Sequence, residues 1–263
     1  MTAWEIVAVT VAGFTAGSIN AVVGSGTLVT FPVLLAVGLP PVTATVTNSL
    51  GLVPGNLTGA IGYRRELRGQ RRLLLRLLPA SVLGALTGAF LLLHLPAAAI
   101  EAVVPVLVGV AVVLVAVQPL LQRALARRRA RTGVEEPAEQ HLGPGRMVAL
   151  FAGAYATGTY GGYFAASQGV LQIGIFGLLL PDSLQRLNAI KNVLTSAVNA
   201  VAALAYIVVA TDRVDWAAAG LVAAGSVVGG SLGGRFGRRL PATALRAAIV
   251  ALGCVAIGVL LSR

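Results

Sequence analysis

The chain has 263 residues, of which 57% are hydrophobic and only 11% are charged, and its mean hydropathy is +0.86. Soluble domains carry about 25% charged residues, so this composition excludes an ordinary cytosolic enzyme or a disordered chain and indicates a polytopic membrane protein. The net charge of +11 does not indicate a nucleic-acid partner. The arginines occur in short clusters between apolar segments, which is typical of cytoplasmic topology anchors.

Eight apolar segments follow one another along the chain. Six are close to the ~20 residues that a helix needs to cross the hydrocarbon layer, but the first and the fifth are far too long for one crossing. Glycines interrupt both long segments, and the dozen or so apolar residues after each interruption form ~18 Å of helix, about half of a bilayer. Each long segment is therefore predicted to be a broken, re-entrant hairpin. The segments cover approximately 3–38, 43–62, 73–94, 97–120, 147–180, 187–210, 214–234 and 242–262.

Charge placement favours these hairpins over the alternative, a bent full crossing followed by a short surface helix. With two hairpins, the basic loop at 63–72, the linker at 121–146 and the basic turns at 181–191 and 235–239 all lie on one side of the membrane. The positive-inside rule assigns this side to the cytoplasm. The chain is therefore expected to pass through the membrane several times, with a cytoplasmic linker.

The two halves of the chain repeat. Leu39-Pro40 corresponds to Leu180-Pro181 and Asn56 corresponds to Asn199, and such matches keep their order along the chain. An all-α fold of about eight helical spans is predicted, with two inverted repeats that each contain a broken first helix and three transmembrane helices. Inverted repeats are the construction of many secondary transporters. The predicted domains are a first repeat at 1–120, a basic linker at 121–146 with a short surface helix at Ala124–Ala130, and a second repeat at 147–263.

The glycine interruptions are the first candidate site. Two interruptions at matching places in two halves indicate a substrate site, because unpaired backbone in a membrane must meet protein or a water-filled cavity. The short helices after them would direct free N–H groups and a positive dipole end at the midplane, an arrangement that binds anions. Close helix packing is the alternative, and it is favoured for Gly13, Gly17, Gly84 and Gly88. The candidate residues are Gly24, Ser25, Gly26 and Thr27, and Gly161, Gly162, Ser167, Gln168 and Gly169.

A second set of polar residues lies along the helix that follows each hairpin, beginning in its first turns. Asn48 and Asn56 lie about two turns apart, as do Asn192 and Asn199, so each pair shares one helix face. Asparagine is costly against lipid, so these side chains are expected to point inward. There they, together with Thr47, either line a polar path or form interhelical hydrogen bonds.

Lys191 is the only lysine of the chain and lies one turn inside an apolar segment. Its ammonium group either finds a buried partner or extends to the cytoplasmic surface as a topology anchor. No carboxylate is expected near the midplane, because Glu5, Glu101, Asp212 and Asp215 all fall at segment ends. A positive midplane with few carboxylates favours an anionic substrate.

Several of these residues resemble the sulfite exporter TauE/SafE family. The glycines from Gly13 to Gly26, with Asn20 among them, precede Phe31-Pro32 and Thr47-Asn48-Ser49, as in the first repeat of that family. The second repeat is similar at Gly153, Gly158, Gly161-Gly162, Asn188, Lys191 and Asn199, but it has Tyr163–Gln168 where a glycine-rich run is more usual. The resemblance covers the chain outside the linker. It implies an inner-membrane permease that exports sulfite, sulfoacetate or related organosulfur anions.

The sequence and the resemblance together predict a secondary transporter of a small anion, sulfite or an organosulfonate such as sulfoacetate, that works by alternating access. A passive anion channel and a non-transporting membrane scaffold are the alternatives. The expected partners are the small anion and membrane lipid, without nucleic acid, and the sequence does not decide between a monomer and a homodimer. No enzymatic activity, cofactor or metal ion is predicted, because the chain has neither a set of residues at metal-ligand spacing nor a phosphate-binding loop.

Overall fold

The computed structural model describes residues 1–132 and 142–236 without a gap, and residues 247, 249–254 and 257–258 beyond them. The fold is all-helical over these residues, as predicted, and the last apolar segment, 242–262, falls largely outside them. The elements are α1 (Ala3–Val22), α2 (Thr27–Ala36), α3 (Pro41–Gly62), α4 (Arg71–His94), α5 (Ala97–Thr132), α6 (Pro144–Tyr163), α7 (Gln168–Leu179), α8 (Leu184–Val209), a 3-10 turn (Thr211–Arg213) and α9 (Trp216–Phe236).

The helices have the lengths and composition of a multi-pass membrane protein. Among the described residues, five helices are long and apolar enough to cross a membrane, namely α1, α4, α5, α8 and α9. Helices α3 and α6 have 22 and 20 residues but are not among these five. Five polar residues of α3 are buried inside the protein, namely Thr45, Thr47, Asn48, Ser49 and Asn56. Helices α2 and α7, with 10 and 12 residues, are too short to cross.

Both long apolar segments are broken where the sequence predicts, and the helices before the two breaks end in the same way. The amides of Gly24 and Ala165 both reach back to the carbonyl oxygen five residues earlier, at 3.1 and 3.2 Å. Both residues also have a positive φ, of 86° and 63°. This left-handed cap ends a helix by satisfying one of its last carbonyl groups. The two residues occupy corresponding positions, so α1 and α6 end alike. The helices that follow begin differently, because Ser167 before α7 has a φ of 61° and Gly26 before α2 has a φ of −60°.

Helix α7 returns alongside α6. A Cβ atom added to Gly153, in the middle of α6, would lie 2.6 Å from the side chain of Ile175 in α7. These two residues lie at similar distances from the break, one before it and one after it, so the two helices run in opposite directions. The pair is therefore a helical hairpin, which is the shape that the predicted re-entrant segment requires. The start of α2 likewise lies against α1, where a Cβ on Gly26 would overlap the carbonyl oxygen of Ala16.

Glycines allow two long helices of the first half to touch two helices of the second half. A Cβ on Gly13 of α1 would lie 2.6 Å from the carbonyl oxygen of Val222 in α9, and one on Gly84 of α4 would overlap the carbonyl oxygen of Tyr155 in α6. The helix backbones are therefore in contact, which confirms the packing interpretation of these glycines. Each half of the chain therefore packs helices directly against helices of the other half. Gly17 and Gly88 extend the same two contacts by one turn.

Helix α5 is longer than predicted. It continues without interruption to Thr132, so the surface helix expected at Ala124–Ala130 is the last part of this helix. The reason is packing, because Leu125 is buried and its side chain would lie 2.5 Å from a Cβ on Gly177 of α7. Residues 133–141 of the predicted linker lie outside the described residues. The domain boundaries at 120 and 146 stay predictions.

Candidate functional site

The two breaks meet each other inside the protein. The amide nitrogen of Gly169 donates a hydrogen bond of 3.2 Å to the carbonyl oxygen of Gly24. A Cβ on Gly24 would lie only 2.6 Å from the Cα atom of Gly169, and Gly24 has a φ of 86°. Glycine alone satisfies both the left-handed backbone and this close approach without strain. The fold thus joins the two interruptions that the sequence separates.

Lys191 of α8 is buried at this junction. Its side chain is 1% exposed, and its Nζ atom donates hydrogen bonds to the carbonyl oxygens of Asn20 at 2.9 Å and Ala21 at 3.4 Å. These carbonyl groups belong to the last turn of α1, where the helix dipole is negative. Within the described part of the chain, no carboxylate contacts Lys191. Of the two interpretations of this lysine, the buried partner is correct and the surface anchor is wrong.

Asn20 connects the first break to α3. Its Nδ2 atom donates to Oδ1 of Asn56 at 3.0 Å, and its Oδ1 atom accepts a hydrogen bond of 2.6 Å from the amide of Gly26. All three residues are buried. Asn20 is not among the residues that the sequence predicts for the site. Its spacing of four residues from Gly24, which puts it in the last turn before the break, could have identified it.

Asn48 on α3 and Asn192 on α8 both make hydrogen bonds to the first hairpin. Asn48 donates to Oγ1 of Thr27 at 3.1 Å and accepts a hydrogen bond from the hydroxyl group of Thr30. Asn192 donates to the carbonyl oxygen of Ala21 at 3.2 Å. Asn48 and Asn56 therefore both face the first hairpin, as their spacing predicts. In this conformation the two asparagines make interhelical hydrogen bonds.

Three predicted residues lie away from the meeting point of the breaks or make other contacts. Thr47 accepts a hydrogen bond of 3.0 Å from the amide of Asp215, at the start of α9. Gly162 packs its backbone on α4, and its carbonyl oxygen accepts a hydrogen bond from the hydroxyl group of Tyr206. Asn199 is buried further along α8, beyond Asn192. These contacts hold helices together.

Several buried polar atoms near the breaks have no hydrogen-bond partner among the described residues. Both amide atoms of Gln168 are unpartnered, and this side chain is fully buried against Gly161. An unsatisfied buried polar group costs about 1–3 kcal/mol, so a polar ligand that pairs with it would recover that cost. The other unpartnered atoms of the predicted site are Ser25 Oγ, Asn56 Nδ2 and Asn199 Oδ1.

The backbone amides that were expected to bind an anion are partly engaged in this conformation. The amide of Gly26 donates to Asn20, and the amide of Gly169 donates to Gly24. The hydroxyl group of Ser167 donates to the carbonyl oxygen of Ala111 in α5 at 3.2 Å. An anion at these amides would therefore replace contacts that the protein makes with itself.

Gln172 and Thr195 extend the polar surface of the second half. Thr195 belongs to the polar set that the sequence predicts at the start of α8, whereas Gln172 is not among the predicted residues. Thr195 donates to Oε1 of Gln172 at 3.0 Å, and Nε2 of Gln172 has no partner in the described region. Gln172 lies four residues after Gln168 and so shares its helix face, and this spacing could have identified it.

Known proteins resemble the chain over most of its length. A family model described as "Sulfite exporter TauE/SafE" matches residues 9–261. The chain is 27% identical over 221 residues to the probable membrane transporter protein YfcA of Escherichia coli strain K12, which covers 84% of this chain and 76% of that protein. It is 32% identical over 97 residues to the probable membrane transporter protein ORF9 of a Sinorhizobium species, covering 37% of each chain. No solved structure matches the chain significantly.

Proposed function

The chain belongs to the sulfite exporter TauE/SafE family and is a membrane transporter rather than an enzyme, and we propose that it carries a small anion by alternating access of two inverted repeats. The proposed substrates are sulfite and organosulfonates such as sulfoacetate. The proposed location is the inner membrane, with the segment after α5 on the cytoplasmic side.

The buried charge of Lys191 carries the proposal of an anionic substrate. Removing an ammonium group from water costs several kcal/mol unless it is paired, and the carbonyl groups of Asn20 and Ala21 supply only dipoles. Among the described residues, the buried carboxylate is that of Asp182. It pairs with Arg186 rather than Lys191, at 2.9 Å between Oδ1 and Nε. A small anion at the breaks would complete the electrostatic environment of Lys191, whereas a cation would be repelled by it.

Unpartnered polar atoms support the position of the site. Gln168 and Ser25 lie on the two breaks and have hydrogen-bonding atoms without a partner in the described region. Sulfite and sulfonates present several oxygen acceptors, which suit amide and hydroxyl donors. In our proposal these two side chains bind the anion, with Lys191 and Asn192 on α8 and Asn48 on α3 around it.

The packing of the breaks supports alternating access. The breaks touch through the glycine backbone and the hydrogen bond between Gly169 and Gly24, and the rings of Phe31 and Phe164 pack edge to face with their centroids 5.1 Å apart. In our proposal these contacts separate when one hairpin moves relative to the other. The α1–α9 and α4–α6 contacts would let each hairpin move together with a helix of the other half.

Removing the charge of Lys191 tests the proposal. The purified chain is heated with sulfite, sulfoacetate, sulfate, acetate or taurine, and a bound anion at 100 times its Kd stabilises the protein by ~2.7 kcal/mol. Lys191→Met should lose this stabilisation and also lose counterflow of labelled anion in proteoliposomes. Arg76→Met removes a charge from an exposed arginine of α4 and should retain both.

Two results would count against the proposal. Equal stabilisation of Lys191→Met and the unmodified chain by the same anion would show that Lys191 does not bind it. Anion flux through the unmodified chain without counterflow would indicate a passive anion channel instead of alternating access.

A further inference from the structure

The ends of α3 and α9 enclose a pocket of about 410 Å³ that is separate from the two breaks. Gly62 and Gly234 bring the two helices together there, because a Cβ on Gly62 would lie 2.8 Å from the Cα atom of Gly234. The remaining lining comes from the residues around this contact. They include Thr58, Ile61, Arg64, Arg65, Ser231 and Arg235.

The pocket is strongly positive. Arg64 and Arg65 reach it from the end of α3 and Arg235 from the last turn of α9, whereas Glu66 is the one carboxylate among its described lining residues. None of the three arginines forms an ion pair in the part of the chain that the structure describes. A guanidinium group presents a planar fork of N–H donors, and this fork matches the oxygens of a phosphate group.

Apolar side chains lead away from the same pocket. Ile61 and Leu57 on α3 are 60% and 49% exposed, and Val228 and Leu232 on α9 are 53% and 42% exposed. Each pair is spaced by four residues, so it forms a stripe along its helix toward the middle of the membrane. A free inorganic anion would use the arginines but not these stripes. A phospholipid would use both.

We propose that this pocket binds the phosphodiester headgroup of an anionic phospholipid, whose acyl chains lie along the stripes of α3 and α9. Basic pockets between transmembrane helices at the cytoplasmic surface are suited to such headgroups. The positive-inside rule predicts that this end of α3 and α9 faces the cytoplasm. The proposal does not depend on which anion the protein transports.

The test uses the full-length chain, purified and stripped of lipid, with phosphatidylglycerol added in a titration followed by native mass spectrometry. The triple variant Arg64→Gln, Arg65→Gln, Arg235→Gln should bind this lipid on the order of 100-fold more weakly, at about fivefold for each arginine. The matched control replaces three exposed arginines outside the pocket and should keep the affinity of the unmodified chain. Its substitutions are Arg68→Gln, Arg71→Gln and Arg76→Gln.

Three results would overturn the proposal. Equal weakening in the control variant would mean that any basic surface attracts the lipid. Equal binding of phosphatidylcholine would mean that the net negative charge of the headgroup is not recognised. Displacement of phosphatidylglycerol by equimolar inorganic phosphate would identify a free-anion site. Counterflow of the transported anion in phosphatidylcholine vesicles shows whether the triple variant is folded. A second variant, Ile61→Gln, keeps all three arginines but interrupts an apolar stripe, and it should also weaken the binding of phosphatidylglycerol.

Discussion

Replacing Gly24 by alanine tests whether the two breaks pack as closely as the structure places them. An alanine at a φ of 86° costs about 1–2 kcal/mol, because the left-handed conformation brings Cβ against the next carbonyl oxygen. The new Cβ would also lie 2.6 Å from Cα and 3.1 Å from the carbonyl carbon of Gly169, which are backbone atoms that cannot rotate away. Overpacking of this kind costs about 1–3 kcal/mol. Gly24→Ala should therefore destabilise the protein by about 2–5 kcal/mol.

Gly38→Ala separates the two costs. Gly38 has a φ of 93°, but a Cβ added to it would meet no atom within 4 Å. Gly38→Ala should therefore lower the free energy of unfolding only by the cost of the left-handed backbone, about 1–2 kcal/mol. The difference between the two variants, about 1–3 kcal/mol, measures the contact between the breaks.

The free energies come from reversible unfolding of the purified protein in mixed micelles, with helix content followed by circular dichroism as the denaturing detergent increases. Counterflow in proteoliposomes is measured on the same preparations, and we expect Gly24→Ala to lose it and Gly38→Ala to keep it. Equal destabilisation of the two variants would refute the close approach of Gly24 and Gly169. The structure of the junction would then be wrong, even if both variants still folded.

Two further predictions concern packing and buried polar groups. Gly229→Ala should destabilise the protein by about 1–3 kcal/mol, because its Cβ would overlap a backbone carbonyl oxygen of α1. A Cβ on Gly220 has open space, so Gly220→Ala should be neutral or stabilising by up to about 1 kcal/mol, because alanine favours a helix interior. Thermal unfolding compares the two variants. Asn48→Leu should cost about 1–3 kcal/mol because the hydroxyl groups of Thr27 and Thr30 lose their partner. In thermal shift assays this variant should also lose stabilisation by the transported anion, and a full anion response would remove Asn48 from the site.

The breaks and the packing glycines were predictable because their signals are local. A glycine-interrupted segment that is too long for one crossing must break, and the interruption at Gly24 marks where. Likewise, Gly84 and Gly88 lie one turn apart on one helix face, which is the pattern of a close helix contact. These features require only the length of a membrane crossing and the period of a helix, and both can be read along the chain.

The partners of the site residues could not be predicted, because they come from distant parts of the chain. The spacing in α8 places Lys191 in the membrane, but only the fold shows that it reaches the carbonyl oxygen of Asn20. The amide of Gly26 was expected to be free, and the side chain of Asn20 occupies it. The end of α5 is not a separate surface helix as predicted, because Leu125, which its arginines conceal in the sequence, packs on α7.

The break in α1 explains why the only lysine lies where it does. Ending a helix inside the protein leaves its last carbonyl groups without intrahelical donors, and Lys191 and Asn192 supply donors to Asn20 and Ala21. A protonated lysine does so with a positive charge, while the carbonyl groups it satisfies are neutral. With Lys191 protonated, the junction has one net positive charge, which a monovalent anion would neutralise and a divalent anion would reverse. If the substrate is an anion, as we propose, a sulfonate or hydrogensulfite is expected to fit this site better than the sulfite dianion.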